Sequence, residues 1–191
     1  MEYHCVTSNL SDDLSVVVVC SIAVLQIITT IAGTGVQGSS GDGGPATNAP
    51  LGCPYGVALD RTGHLLYIAD AGNNQIRLVT IKTGIIMTIA GTGLAGSMGD
   101  NGPAINAQLF TPSGIAVDTF GSLYIADSGN NKIRFVSIHT GNITTFAGTG
   151  YKGSNGFGGG STGDGGPAIN AQFYDPEGIN QHTLLISTLS F

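Results

Sequence analysis

The sequence predicts an all-β chain made of small antiparallel four-stranded sheets, written about three times over. Three observations predict it. Glycine is abundant, at 31 of 191 residues, and charged residues are only 9%, against about 25% in an ordinary globular domain. The string Ala-Gly-Thr-Gly recurs at 32–35, 90–93 and 147–150, with spacings of 58 and 57. Within each unit, short apolar runs alternate with turn formers, a pattern of strands rather than helices.

The elements follow in order. Gly-Val-Ala-Leu-Asp at 56–60 and Gly-Ile-Ala-Val-Asp at 114–118 read as a first strand. Leu65 to Ala69 and Leu123 to Ala126 read as the second, Gln75 to Ile81 and Lys132 to Ile138 as the third. The fourth spans Ile85 to Ala90 and Asn142 to Ala147, with an earlier copy at Ile28 to Ala32. Thr-Gly at 62–63 and 83–84 and Gly-Asn-Asn at 72–74 supply the turns. Four strands per unit of some tens of residues is the pattern of a β-propeller blade. Full blades are expected at about 54–91 and 112–148, inside a repeat region of 27–191 with partial blades at both ends. The third copy carries extra residues near 156–161.

The pattern Pro-x-Gly-Ile-Ala-Val-Asp, then Gly-x-Leu-Tyr-Ile-Ala-Asp-x-Gly-Asn-Asn-x-Ile-Arg, resembles the NHL repeat; it stands twice in full and once in part. The long unit, with Ala-Gly-Thr-Gly and Gly-Asp-Gly-Gly-Pro-Ala, is similar to NHL regions of large bacterial and eukaryotic extracellular proteins, teneurins among them. The resemblance implies a propeller, commonly of about six blades. About three units do not complete such a circle. The expectation is a partial propeller, a piece of a larger one, with closure by other chains and an open arc as the alternatives. Its exposed blade edges are open to self-association.

Several residues have structural readings. Asn73-Asn74 and Asn130-Asn131 suit a tight hairpin turn, because Asn and Gly tolerate positive φ. Asp70 and Asp127 are placed to accept hydrogen bonds from that turn's own amides. Gly56 and Gly114 open the strand that lines a crowded centre. Arg77 and Arg134 recur at one slot, read as a surface residue or the partner of an Asp within the blade. Gly-Asp-Gly-Gly-Pro-Ala lacks the Lys-Ser/Thr of a phosphate loop and the alternating carboxylates of a calcium loop. It reads as an ordered turn between blades. The alternative is a ring of ligand-facing loops carrying Asp42, Asp100 and Asp164.

Composition narrows function. The net charge is −6, and the six basic residues, Arg61, Arg77, Lys82, Lys132, Arg134 and Lys152, form no cluster. Nucleic acid is therefore not an expected partner. Cys5, Cys20 and Cys53 are odd in number and lack metal spacing, so they read as free thiols. His4, His64, His139 and His182 recur at no repeat slot, and no metal or other cofactor is expected. No catalytic set assembles. The irregularities that hint at chemistry are Glu177, at the slot of Tyr55 and Ser113, and the insertion of His64. The reading is a scaffold whose blade loops bind a protein or glycan. A piece of a lactonase-like or lyase-like propeller enzyme, an RNA-binding domain, and a recognition part of a ubiquitin ligase are weaker alternatives.

The N-terminal segment, 1–26, holds an apolar run at 14–25 with two readings. One is the core of a signal peptide, which would make the protein secreted. The other, for a cytoplasmic protein, is a degenerate third strand. Aligned without gaps, it puts Val18 at the slot of Ile76 and Cys20 at that of Leu78, with Gln26 where Gly84 would stand.

Overall fold

The computed structural model describes residues 3–5, 16–22, 25–151 and 162–179, with side chains from residue 29 onward. The insertion at 156–161, Lys152, His182 and the apolar tail at 183–187 lie outside the described residues.

The chain is a partial β-propeller. A three-stranded N-terminal sheet is formed by β1 (Tyr3–Cys5), β2 (Val16–Ile22) and β3 (Leu25–Ala32). The middle blade is β4 (Pro54–Leu59), β5 (Leu65–Asp70), β6 (Gln75–Thr80) and β7 (Ile85–Ala90), paired in that order. The C-terminal blade repeats it with β8 (Pro112–Val117), β9 (Leu123–Asp127), β10 (Lys132–Val136) and β11 (Ile143–Ala147). All strand pairings in the two blades are antiparallel, as connections of four to six residues demand. The first strands start two residues before the sequence pattern suggests, because Pro54 and Pro112 pair with Asp70 and Asp127 across a bulge.

Alternation along each strand sends side chains to both neighbours. From the middle blade, Leu66, Ile68, Val79 and Ile86 face Ala32 of the N-terminal sheet. Tyr67, Ala69 and Ile76 face Ile115, Val117, Leu123, Ile125 and Val136 of the C-terminal blade. Innermost strands β4 and β8 pack directly. A Cβ on Gly56 would lie 2.2 Å from the Ser113 carbonyl oxygen. That approach explains the glycine that opens the first strand.

Away from the axis the blades diverge, and the long loop between them fills the gap as a wedge. Ala46, Ala49 and Leu51 are buried in the first interface, Ala104, Ala107 and Leu109 in the second. Each wedge is bonded to both blades. Gly91 and Thr92 donate to the carbonyls of Ala104 and Ala107 on one side. On the other side, Asn101 and Ala104 donate to Ile143 and Gly141, and Ile143 donates back to Gly102. A unit of nearly sixty residues is therefore a blade plus a wedge.

The N-terminal sheet shows that Val16–Ile22 is a third strand, in a register that differs from the gapless alignment. Val16 pairs with Ala32, and a bulge follows before Val17, as Ile76 pairs with Ala90 before Arg77. Val16, not Val18, holds the Ile76 slot, and Val17 holds that of Arg77. The cause is Gln26. At Gly84 the chain turns with φ +67, a conformation glycine takes without penalty. Without glycine there, pairing runs on to Ile22 and Leu25, and the hairpin is longer.

Candidate functional site

The recurring charged residues are structural, and more deeply so than their sequence suggests. Arg77 and Arg134 are completely buried, which corrects the surface reading. Arg134 donates to Asp127 Oδ2 at 3.0 Å on its own blade and to Asp100 Oδ1 at 2.7 Å on the wedge. Arg77 does the same with Asp70 at 3.3 Å and Asp42 at 2.7 Å. The Asp of Gly-Asp-x-Gly-Pro-Ala and the Arg of Asn-Asn-x-Ile-Arg are thus two halves of one lock. Asp42 and Asp100 stay partly exposed but are held by these pairs and by Thr88 and Thr145. Asp70 and Asp127 also differ from expectation. They accept from Gly52 and Phe110 amides, 2.6 and 2.7 Å, at the end of the wedge, and from Asn73 and Asn130 side chains. No hydrogen bond to the turn's own amides forms.

These carboxylates titrate in opposite senses. Burial pushes the Asp70 and Asp127 pKa values up, only partly offset by their Asn, backbone and Arg partners. Burial is also the largest single influence on Asp42, but the bonds from Thr88 and Arg77 together outweigh it, holding that carboxyl below 3.8. A raised folded-state pKa contributes stability that is full at low pH and lost as pH rises through it; a lowered one does the reverse. Acidification from neutrality therefore first protonates Asp70 and Asp127 in the fold's favour. Asp42 loses its contribution only as pH falls below 3.8. The urea midpoint should be no lower at about pH 5 than at about pH 7, then drop in stronger acid. A steady fall from neutrality would contradict this assignment.

Three slots whose residues differ from unit to unit line a cleft of about 400 Å³ at the mouth of the axis, where the first strands begin. The first holds Cys53, Thr111 and Asp175, all exposed and in left-handed backbone at φ +46, +44 and +45. That is a costly conformation, above all for β-branched Thr111. It is held from the preceding blade, where Asn74 and Asn131 accept the Thr111 and Asp175 amides at 2.9 and 3.0 Å. The second slot holds Tyr55, Ser113 and Glu177, and the third Ala71 and Ser128.

The serines are committed to structure. Their hydroxyls contact each other and the Pro176 and Glu177 carbonyls. That leaves the Cys53 thiol, the Tyr55 and Thr111 hydroxyls and the Asp175 and Glu177 carboxylates facing solvent. Among the described residues no three His, Cys, Asp or Glu side chains converge on a metal-sized site. His64 and His139 are exposed and lie outside the cleft's lining. Sequence reasoning singled out Glu177 but missed Asp175, Thr111 and Cys53. The signal was there in one form: the residues on both sides of the repeated Pro of Pro-x-Gly differ in every unit.

Comparison with known proteins bears on the repeat itself. A family model described as "Teneurin NHL domain" matches residues 93–156. NHL repeat-containing protein 2 of Bos taurus is 36% identical over 105 residues, covering 54% of this chain and 14% of that protein. These are NHL repeats. Teneurin-4 of Homo sapiens is 38% identical over 104 residues, 48% of this chain and 4% of its own length. The NHL chain described here thus spans a small part of the relatives it matches. Among solved structures, a Bacteroides thetaiotaomicron protein of unknown function aligns with TM-score 0.62 and 19% identity, over 87% of this chain and 37% of that one. An auxiliary nutrient binding protein from the same organism aligns with TM-score 0.54 and 21% identity, over 87% and 38%. At such identities the likeness is one of fold alone.

Proposed function

We propose that this NHL chain is a binding scaffold, part of a larger propeller, whose axial cleft takes a polar partner, a protein or a glycan. One observation carries the reading. The frame of strands, wedges and locks recurs, while two slots at the cleft carry unlike polar side chains in every unit, Cys53, Thr111 and Asp175 at one and Tyr55, Ser113 and Glu177 at the other. A rigid repeated frame with variable loop residues is the usual arrangement of a recognition surface. The two free carboxylates favour partners with cationic or hydroxyl groups over anionic ones. The serines' commitment to backbone carbonyls and the lack of a base beside them give no support to hydrolytic chemistry at this cleft. The nutrient-binding name of a similarly folded protein is in keeping with this reading.

The test is a screen of immobilised glycans and a displayed peptide library, followed by Asp175→Asn with Glu177→Gln. Binders from either collection should lose at least about tenfold in affinity, the scale of one lost charge-assisted contact. If the binders recovered ignore both substitutions, the cleft is not the site.

A further inference from the structure

The outer face of the C-terminal blade is half of an interface that occurs complete elsewhere in the same chain. Tyr124, Phe135 and Phe146 stand on it with ring centroids 5.1 Å apart in each contact with Tyr124. Their counterparts one unit earlier, Tyr67, Leu78 and Ile89, pack into the core between the blades. Tyr67 is 3% exposed and its counterpart Tyr124 only partly buried, and Ile89 is partly buried where its counterpart Phe146 is 52% exposed. A third wedge is already seated beside this face: Gly148 and Thr149 donate to the Ala168 and Ala171 carbonyls, as Gly91 and Thr92 do one unit earlier. Its far side is open. Asp164, at the place of Asp42 and Asp100, is exposed and has no ion-pair partner among the described residues. Among the described residues, the amides of Gly165 and Ala168 and the Gly166 carbonyl lack the bonds that their equivalents make to the next blade's outer hairpin.

We infer that this face, with Asp164 as its acceptor, receives a further NHL blade that follows in line and carries an arginine in its third strand. The inference gives the larger-propeller reading a chemical form and rests on it. Three observations choose this occupant. The complete interfaces show what covers such a face: branched aliphatic residues opposite the ring positions, and an arginine that bridges its own blade's Asp to the wedge. The chain already leads into that blade, since the Glu177 carbonyl lies 2.8 Å from a Cβ built on Gly114, as Ser113 lies against Gly56. A second copy fits worse, because its N-terminal sheet offers Val17 at the arginine slot. By the spacing of the existing locks, the arginine stands 34 or 35 residues beyond Asp164.

The experiment replaces everything from residue 180 onward by a copy of residues 116–151, which places the copied arginine at the required distance. Dye binding to exposed apolar surface and hydrogen exchange within the copied strands are the readouts, with sedimentation of the original chain beside them. In a copy whose own outer-face rings, those copied from Tyr124, Phe135 and Phe146, are changed to Ser, docking should lower dye binding several-fold and protect the copied strands. Asp164→Asn, or Met for the copied arginine, should each reverse this, while Asp164→Asn leaves the original chain's melting unchanged. Docking that ignores both substitutions overturns the lock but leaves the larger propeller standing. An undocked copy, or an original chain that sediments as a dimer with the aromatic face already shielded, overturns the in-line blade itself.

Discussion

Arg134→Ala is expected to destabilise the chain by about 3–5 kcal/mol, the cost typical of breaking a buried ion pair from one side. The guanidinium is wholly buried between the C-terminal blade and the second wedge. Its removal leaves Asp127 buried, with only Asn130 and the Phe110 amide for partners. It also leaves Asp100 held to the blade by the Thr145 hydroxyl alone, and the Gln108 carbonyl loses its donor. Replacing Arg134, Asp100 and Asp127 together by apolar residues of similar volume should cost far less, because no charge is then stranded. The lock therefore sets wedge register more than it adds net stability. Urea unfolding at neutral pH compares the two variants. A loss below about 1 kcal/mol for Arg134→Ala, a value typical of exposed pairs, would show that water reaches this guanidinium and that the lock is not closed.

Gly56→Ala should be nearly as damaging, at about 3 kcal/mol, the upper end for overpacking a core. The new methyl would meet the Ser113 carbonyl at 2.2 Å and the Gly114 backbone at 3.3 Å. Both obstacles are main chain in a paired strand, so no side chain can rotate away, and β4 and β8 must part. Gly43→Ala is the control. It has φ +78 but nothing within 4 Å. It should cost about 1 kcal/mol, the penalty for a left-handed L-residue. Thermal unfolding of the two variants measures the contrast. Equal losses would mean that strain in backbone angles, not crowding at the axis, is what glycine relieves.

The blades were legible in the sequence because their signals are local. Period-two apolar runs, turn glycines and the repetition itself require no knowledge of what lies across the interface. The gapless reading of the N-terminal strand erred by two residues for a local reason too, since a missing turn glycine lengthens a hairpin without changing strand pattern. The arginines were harder. Arg77 and Asp42 lie 35 residues apart, and neither carries a mark of burial in its own neighbourhood. The cleft was half legible: Glu177 stood out as an irregular residue, while Asp175 and Cys53 became visible only when three left-handed turns were seen to converge.

By itself the sequence determined the repeat, the strands and the kind of fold, because strand periodicity and turn chemistry are properties of neighbours along the chain. Only the tertiary structure decided that Gly-Asp-x-Gly-Pro-Ala is a wedge locked by a buried arginine, and which varied residues share one cleft. Desolvation and ion pairing depend on what surrounds a group in space, and a chain that folds back across nearly sixty residues does not write that surrounding next to the group.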